Sequence, residues 1–170
     1  MSTNGPILIC YDGSDNARRA IETAGDLFHG REAIVLHVWS PVDVMASAYG
    51  AMVALPASND RELQEAALKI SDKGVVLASE AGLRARPESA ECTFDGTSHA
   101  ILGVADEYEA AVIVLGARGL SKFKSFILGS VSHAVTQHAH RPVLIVPPLV
   151  REDRTPTPVN QTSAAASAAV

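Results

Sequence analysis

A chain of 170 residues with a formal net charge of −5 is long enough to close one hydrophobic core without metals or disulfides. Its acidic balance argues against a general nucleic-acid binder, which needs a clustered positive surface to neutralise phosphates. The two cysteines, Cys10 and Cys92, each lie inside an apolar or strand-like run, a pattern that fits reduced thiols in a reducing cytoplasm.

Residues 1–6 carry no basic segment, and the apolar stretch that follows is far shorter than the core of a signal peptide. The longest weakly polar tract, residues 44–55, is interrupted by Ser47, Tyr49 and Gly50 and falls short of the ~18 apolar residues of a membrane span. The expectation is a soluble, cytoplasmic protein without membrane contact.

In chain order, residues 6–11 form a short apolar run closed by Asp12-Gly13-Ser14-Asp15, which reads as a buried strand entering a turn. Ala17, Ala20, Ile21, Ala24, Leu27 and Phe28 then recur at helical spacing, with Ser14 or Asp15 as cap and Gly30 beyond the end. Residues 33–39 read as a second buried strand. Leu63, Ala67, Ile70, Leu77 and Ala81 mark one face of a second helix, with Asn59 and Glu62 resembling a capping box.

After Gly82, residues 89–94 read as a third strand, and Thr97 or Ser98 opens a helix with Ala100, Ile101, Val104, Ala105 and Tyr108 inward. Residues 111–115 are a fourth strand, nearly all β-branched. A loop spans residues 116–129, a helix follows with Val131, Ala134, Val135 and His138 inward, and residues 142–146 form a fifth strand. This alternation implies an α/β fold: an open, doubly wound, five-stranded parallel sheet with helices on both faces and ligands beyond the carboxyl ends of the strands.

Two segments fall outside the scheme. Residues 40–58 form a long insertion of the kind that is mobile or functional. Residues 149–170 pass from charged and proline-rich to Ser and Ala, and read as a disordered tail behind a domain at residues 1–148.

The fourth strand runs into Gly116-Ala-Arg118-Gly119, and nine residues later comes Gly129-Ser130-Val131-Ser132. Gly116 and Gly119 permit positive φ and close backbone approach, so that successive N–H groups can surround phosphate oxygens. Gly129 and Ser130 stand where unpaired N–H groups and the helix dipole favour an anion, and the hydroxyls of Ser130 and Ser132 are further donors. The alternative is that these glycines only build a tight strand-to-helix connection. The spacing matches neither G-x-x-x-x-G-K-[ST] nor G-x-G-x-x-G.

Taken with the Asp12 turn and Val38 near the end of the second strand, the loop resembles that of the universal stress protein family, a likeness that covers residues 6–147. The resemblance implies an adenine-nucleotide alpha hydrolase-like, Rossmann-like fold that binds ATP and regulates a stress response. It puts Gly116, Gly119, Gly129, Ser130, Val131 and Ser132 around phosphates and ribose, and Asp12 and Val38 near the nucleoside, Val38 through its backbone. Tyr11, Leu115 and Arg118 complete the expected nucleotide-binding set. The family's usual homodimer, paired through the fifth strand, is implied as well. AMP or cyclic AMP is the alternative ligand, and slow ATP hydrolysis or self-phosphorylation at Ser121, Ser125, Ser130 or Ser132 the alternative activity.

Other signals have two readings each. Arg118, Lys122 and Lys124 either meet phosphate charge or are solvated loop charges. Asp12 either assists Mg²⁺ and the nucleoside or caps the first helix. His133, His138 and His140 lack the spacing of a metal site, and Ser130, Ser132 and His133 lack a nucleophile elbow.

Overall fold

The structure, a computed structural model, describes residues 4–40, 60–92, 94–117 and 128–148; within these the side chains of Asp60, Glu62 and Leu63 are not described. The insertion at residues 41–58, the capping residue Asn59, the loop residues 118–127 and the tail from residue 149 therefore lie outside the described residues.

Strands and helices alternate: β1 (Ile7–Cys10), α1 (Asp15–Phe28), β2 (Glu32–Trp39), α2 (Asp60–Glu80), β3 (Arg84–Glu91), α3 (Thr97–Glu107), β4 (Val112–Gly116), α4 (Ser130–His138) and β5 (Val143–Val146). All strands pair in parallel as one sheet in the order β3-β2-β1-β4-β5. The expected doubly wound α/β sheet is the observed one.

Continuous apolar strands arise because both faces are covered. On one face Ile9, Val35 and Val114 pack with Ala20 and Ile21 of α1 and Ala78 of α2. On the other, Leu8, Leu36 and Ile113 pack with Ile101 and Ala105 of α3 and Val135 of α4.

The third strand differs from the sequence expectation. It runs Arg84–Glu91 rather than residues 89–94, and Phe94 lies beyond it, fully exposed. β3 borders the sheet, so its residues alternate between charged (Arg84, Arg86, Glu88) and uncharged (Ala85, Pro87, Ser89) instead of forming an apolar run. A border strand also tolerates Pro87, which lacks a ladder N–H. Gly82, at φ +85, ends the preceding helix and turns the chain straight into the strand.

Two helix faces are also corrected. Leu27 is 59% exposed while Phe28 packs on the core, and His138 is exposed, its Nδ1 donating to the Ala134 carbonyl at 2.8 Å. In α2 the contact line is built of small residues: Ala67, Ser71, Gly74 and Ala78 are buried, whereas Ile70 and Leu77 flank them. A Cβ on Gly74 would stand 2.6 Å from a Val35 methyl and 2.9 Å from the Tyr11 ring, so this helix lies closer to the sheet than any side chain at position 74 permits.

Cys10 and Cys92 are free thiols. Cys10 packs against the α3-side core, and burial, followed by the nearby Asp12 charge, pushes its thiol up to about 12. Its thiol form therefore holds at neutral pH. Among the described residues no helix is long and apolar enough to cross a membrane.

Helical glycines in opposite environments give opposite expectations. Gly74→Val should cost about 2 kcal/mol or more through overpacking. Gly103→Ala on α3, where nothing lies within 4 Å of the added Cβ, should gain about 0.5–1 kcal/mol from helix propensity. Urea unfolding of both variants checks the pair.

Candidate functional site

The chain steps outward from β1 to β2 and β3, then crosses back past β1 to β4 and β5. Strand order therefore reverses beside β1, and in open α/β sheets such a reversal marks the ligand crevice, here beyond the carboxyl ends of β1 and β4. The register Ile9↔Val114 brings Tyr11 and Gly116 level two residues further on, and Cys10↔Leu36 does the same for Asp12 and Val38.

On the β1 side, the Asp12 carboxylate accepts from the Ser14 N–H at 3.0 Å, and the Ser14 hydroxyl accepts from the Ala17 N–H at 3.2 Å. The helix cap is thus Ser14, and Asp12 instead shapes the turn before it. One Asp12 oxygen is engaged in that turn. Gly13, at φ +82, has nothing within 4 Å of where a Cβ would stand, so the turn faces open space.

The side chain of Tyr11 is buried under Gly74 and that of Leu115 in the α3-side core, so both offer the crevice backbone only. Val38 packs half-buried against the same α3-side core.

On the β4 side, Gly116 is not among the described glycines with positive φ, which corrects the conformational reason assigned to it. Its reason is steric. A Cβ there would meet the carbonyl carbon, the oxygen and the Cβ of Asn16, each at 3.0 Å, so the glycine admits the first turn of α1 against the end of β4.

The neck of the loop is closed by three hydrogen bonds. The Ala117 N–H donates to Val146 O at 2.8 Å, the Gly129 N–H to Ala117 O at 2.8 Å, and the Ser132 hydroxyl to Gly116 O at 2.9 Å. Gly129 is the N-cap of α4, in extended conformation and without a capping side chain. The first intrahelical bond runs from the His133 N–H to Gly129 O, so the N–H groups of Ser130, Val131 and Ser132 have no partner within the helix. Donors at a helix start suit an anion. Arg118 and Gly119 lie outside the described residues.

Sequence reasoning passed over two residues here. Asn16 forms the wall against Gly116, and only the tertiary approach of α1 reveals it. The His37 ring lies with Nδ1 2.9 Å from Tyr11 O; a carbonyl only accepts, so Nδ1 carries the proton. A histidine inside an otherwise apolar strand was the visible signal for it.

Among the described residues no group of three or more His, Cys, Asp or Glu side chains comes together as a metal site. A groove of about 660 Å³ lies at the opposite, amino end of the sheet near Glu32, Arg84, Arg86 and Tyr108. Its charges are paired with one another or with Glu88, Arg84–Glu32 at 3.8 Å and Arg86–Glu88 at 3.6 Å.

A parallel, doubly wound sheet covered by helices on both faces defines a Rossmann-like α/β domain. A model of the universal stress protein family matches residues 3–147, and the chain belongs to that family. The universal stress protein YxiE of Bacillus subtilis is 34% identical over 146 residues, covering 82% of this chain and 97% of that protein. A universal stress protein solved in complex with cAMP has a TM-score of 0.61 at 22% identity, covering 85% of this chain and 98% of its own. The Archaeoglobus fulgidus universal stress protein in complex with dAMP has a TM-score of 0.57 at 23% identity, covering 85% and 98%. At such identities the likeness of structure speaks for the fold.

The Asn16 contact makes a sharp expectation. Gly116→Ala should cost about 1–3 kcal/mol, because the new methyl must displace backbone of α1. Denaturant unfolding at unchanged slope checks it, and a neutral variant would contradict the close approach.

Proposed function

We propose that this protein binds an adenine nucleotide, ATP foremost, in the crevice between β1 and β4, and works as a nucleotide-dependent regulator in a stress response. The observation that carries the reading is the juxtaposition at the switch point: an open Asp12-Gly13 turn on one side and, on the other, the first-turn N–H groups of α4, which have no partner within their helix. Phosphates would lie against Ser130, Val131 and Ser132, with Gly116, Arg118, Gly119 and Gly129 forming the loop around them. The nucleoside would lie toward Tyr11, Asp12, Val38 and Leu115. The Asp12 oxygen not bound to Ser14 is available to a Mg²⁺ ion carried by the phosphates.

AMP and cyclic AMP form the second reading. It is favoured by the relatives of the same fold solved with cAMP and dAMP, since adenine and ribose contacts alone would suffice for them. Regulation rather than catalysis is the assignment because the sequence carries no Walker-B pattern or catalytic-base motif. A ligand that switches a partner surface must bind two states of the protein with different affinity.

Calorimetric titration with ATP, AMP and cyclic AMP tests the reading. ATP should bind, and Gly119→Val and Gly129→Val should abolish that binding while circular dichroism stays that of the folded protein. Undiminished affinity in both variants would sink the assignment.

The homodimer belongs to the same proposal. β5 borders the sheet, with Val143, Leu144 and Ile145 half-exposed, and a bare apolar edge pairs readily with a second copy. Ile145→Lys should convert a dimer to a monomer in sedimentation; a wild-type monomer would contradict the pairing.

A further inference from the structure

The Ser132 hydroxyl does not point into the crevice as a free donor. Ser132 is 4% exposed, and its hydroxyl donates to the Gly116 carbonyl at 2.9 Å. A hydroxyl has one proton. With that proton committed to a carbonyl of β4, none remains to give a phosphate oxygen, which only accepts. Ser130, the first residue of α4, is exposed.

We infer that Ser132 is a positioning residue: its hydroxyl clamps the first turn of α4 to the end of β4 and so aims at the crevice the N–H groups of that turn that have no partner within the helix. Three features support the clamp. Its acceptor, Gly116, itself lies close against Asn16 of α1, where a Cβ would stand 3.0 Å from that residue's backbone. The next residue, Ala117, is tied outward to Val146 of β5 and accepts from Gly129, so both ends of the loop meet at one point. The carbonyl of Ser132 in turn accepts from the Thr136 hydroxyl at 2.7 Å, which fixes the turn from its helical side.

The clamp thus joins β4, β5, α1 and α4 at the base of the glycine loop. The helix start is held in direction before any ligand arrives, which is what makes a set of N–H dipoles effective toward charge.

This role rests on the adenine-nucleotide reading, and the test separates the two. Amide hydrogen exchange is measured on the nucleotide-free full chain, and ATP and adenosine affinities by titration, for wild type, Ser132→Ala and Ser132→Thr. Ser132→Ala should speed exchange of the Gly129 amide about fivefold, the scale of one lost hydrogen bond. It should also weaken ATP about tenfold while leaving adenosine unchanged, because only phosphate meets the aimed donors. Ser132→Thr, which keeps the hydroxyl, should stay near wild type in both. Unchanged Gly129 exchange in Ser132→Ala would overturn the clamp, as would equal losses of ATP and adenosine affinity or a threonine variant that behaves like alanine. A wild type that binds neither ligand would overturn the nucleotide reading, and the exchange data, taken without nucleotide, would show the clamp separately.

Discussion

Burial of β1 on both faces is the constraint from which the remaining architecture follows. Ile7, Leu8 and Ile9 are at most 1% exposed, so helices must cover each side of the strand and neighbours must pair with each edge. With β2 on one edge and β4 on the other, the chain reverses direction of winding beside β1, and the reversal leaves the end of that strand uncovered by a crossover. The crevice is therefore a consequence of the core, not an addition to it.

Close approach of backbone is the second recurring device. Gly74 lets α2 settle on Val35 and Tyr11, and Gly116 lets α1 settle on the end of β4. Both contacts bear on the site: the first buries the Tyr11 ring and leaves its carbonyl to His37, and the second fixes the strand end from which the glycine loop departs. Side-chain hydroxyls complete the arrangement, with Ser14 capping α1 and Ser132 holding α4 to β4.

The central strands were legible because burial on two faces writes a continuous apolar run, as in β1 and β4. β3 was not, since a border strand carries Arg84, Arg86 and Glu88 along one face and reads as loop. Helix spacing located α1 to α4, but the assignment of Leu27 and His138 inward failed because each lies at the margin of its helix's apolar stripe, near the end where the helix leaves the sheet. At the site, glycine spacing pointed to the loop between β4 and α4, while the steric reason for Gly116 and the bond made by Ser132 depend on contacts between elements far apart in sequence. No periodicity encodes those. Asp12 was left between two roles, and the observed cap at Ser14 decides only that the carboxylate is not the cap.

The proposed nucleotide would meet the sheet at the carboxyl ends of β1 and β4. Mapping of backbone amide chemical shifts during ATP titration of the labelled protein tests that most directly. The prediction is that the largest changes fall on Gly13, Gly116 and the Ser130–Val131–Ser132 amides at the carboxyl ends of β1 and β4. Changes centred instead on Arg84, Arg86 and Tyr108, at the amino-end groove, would contradict it.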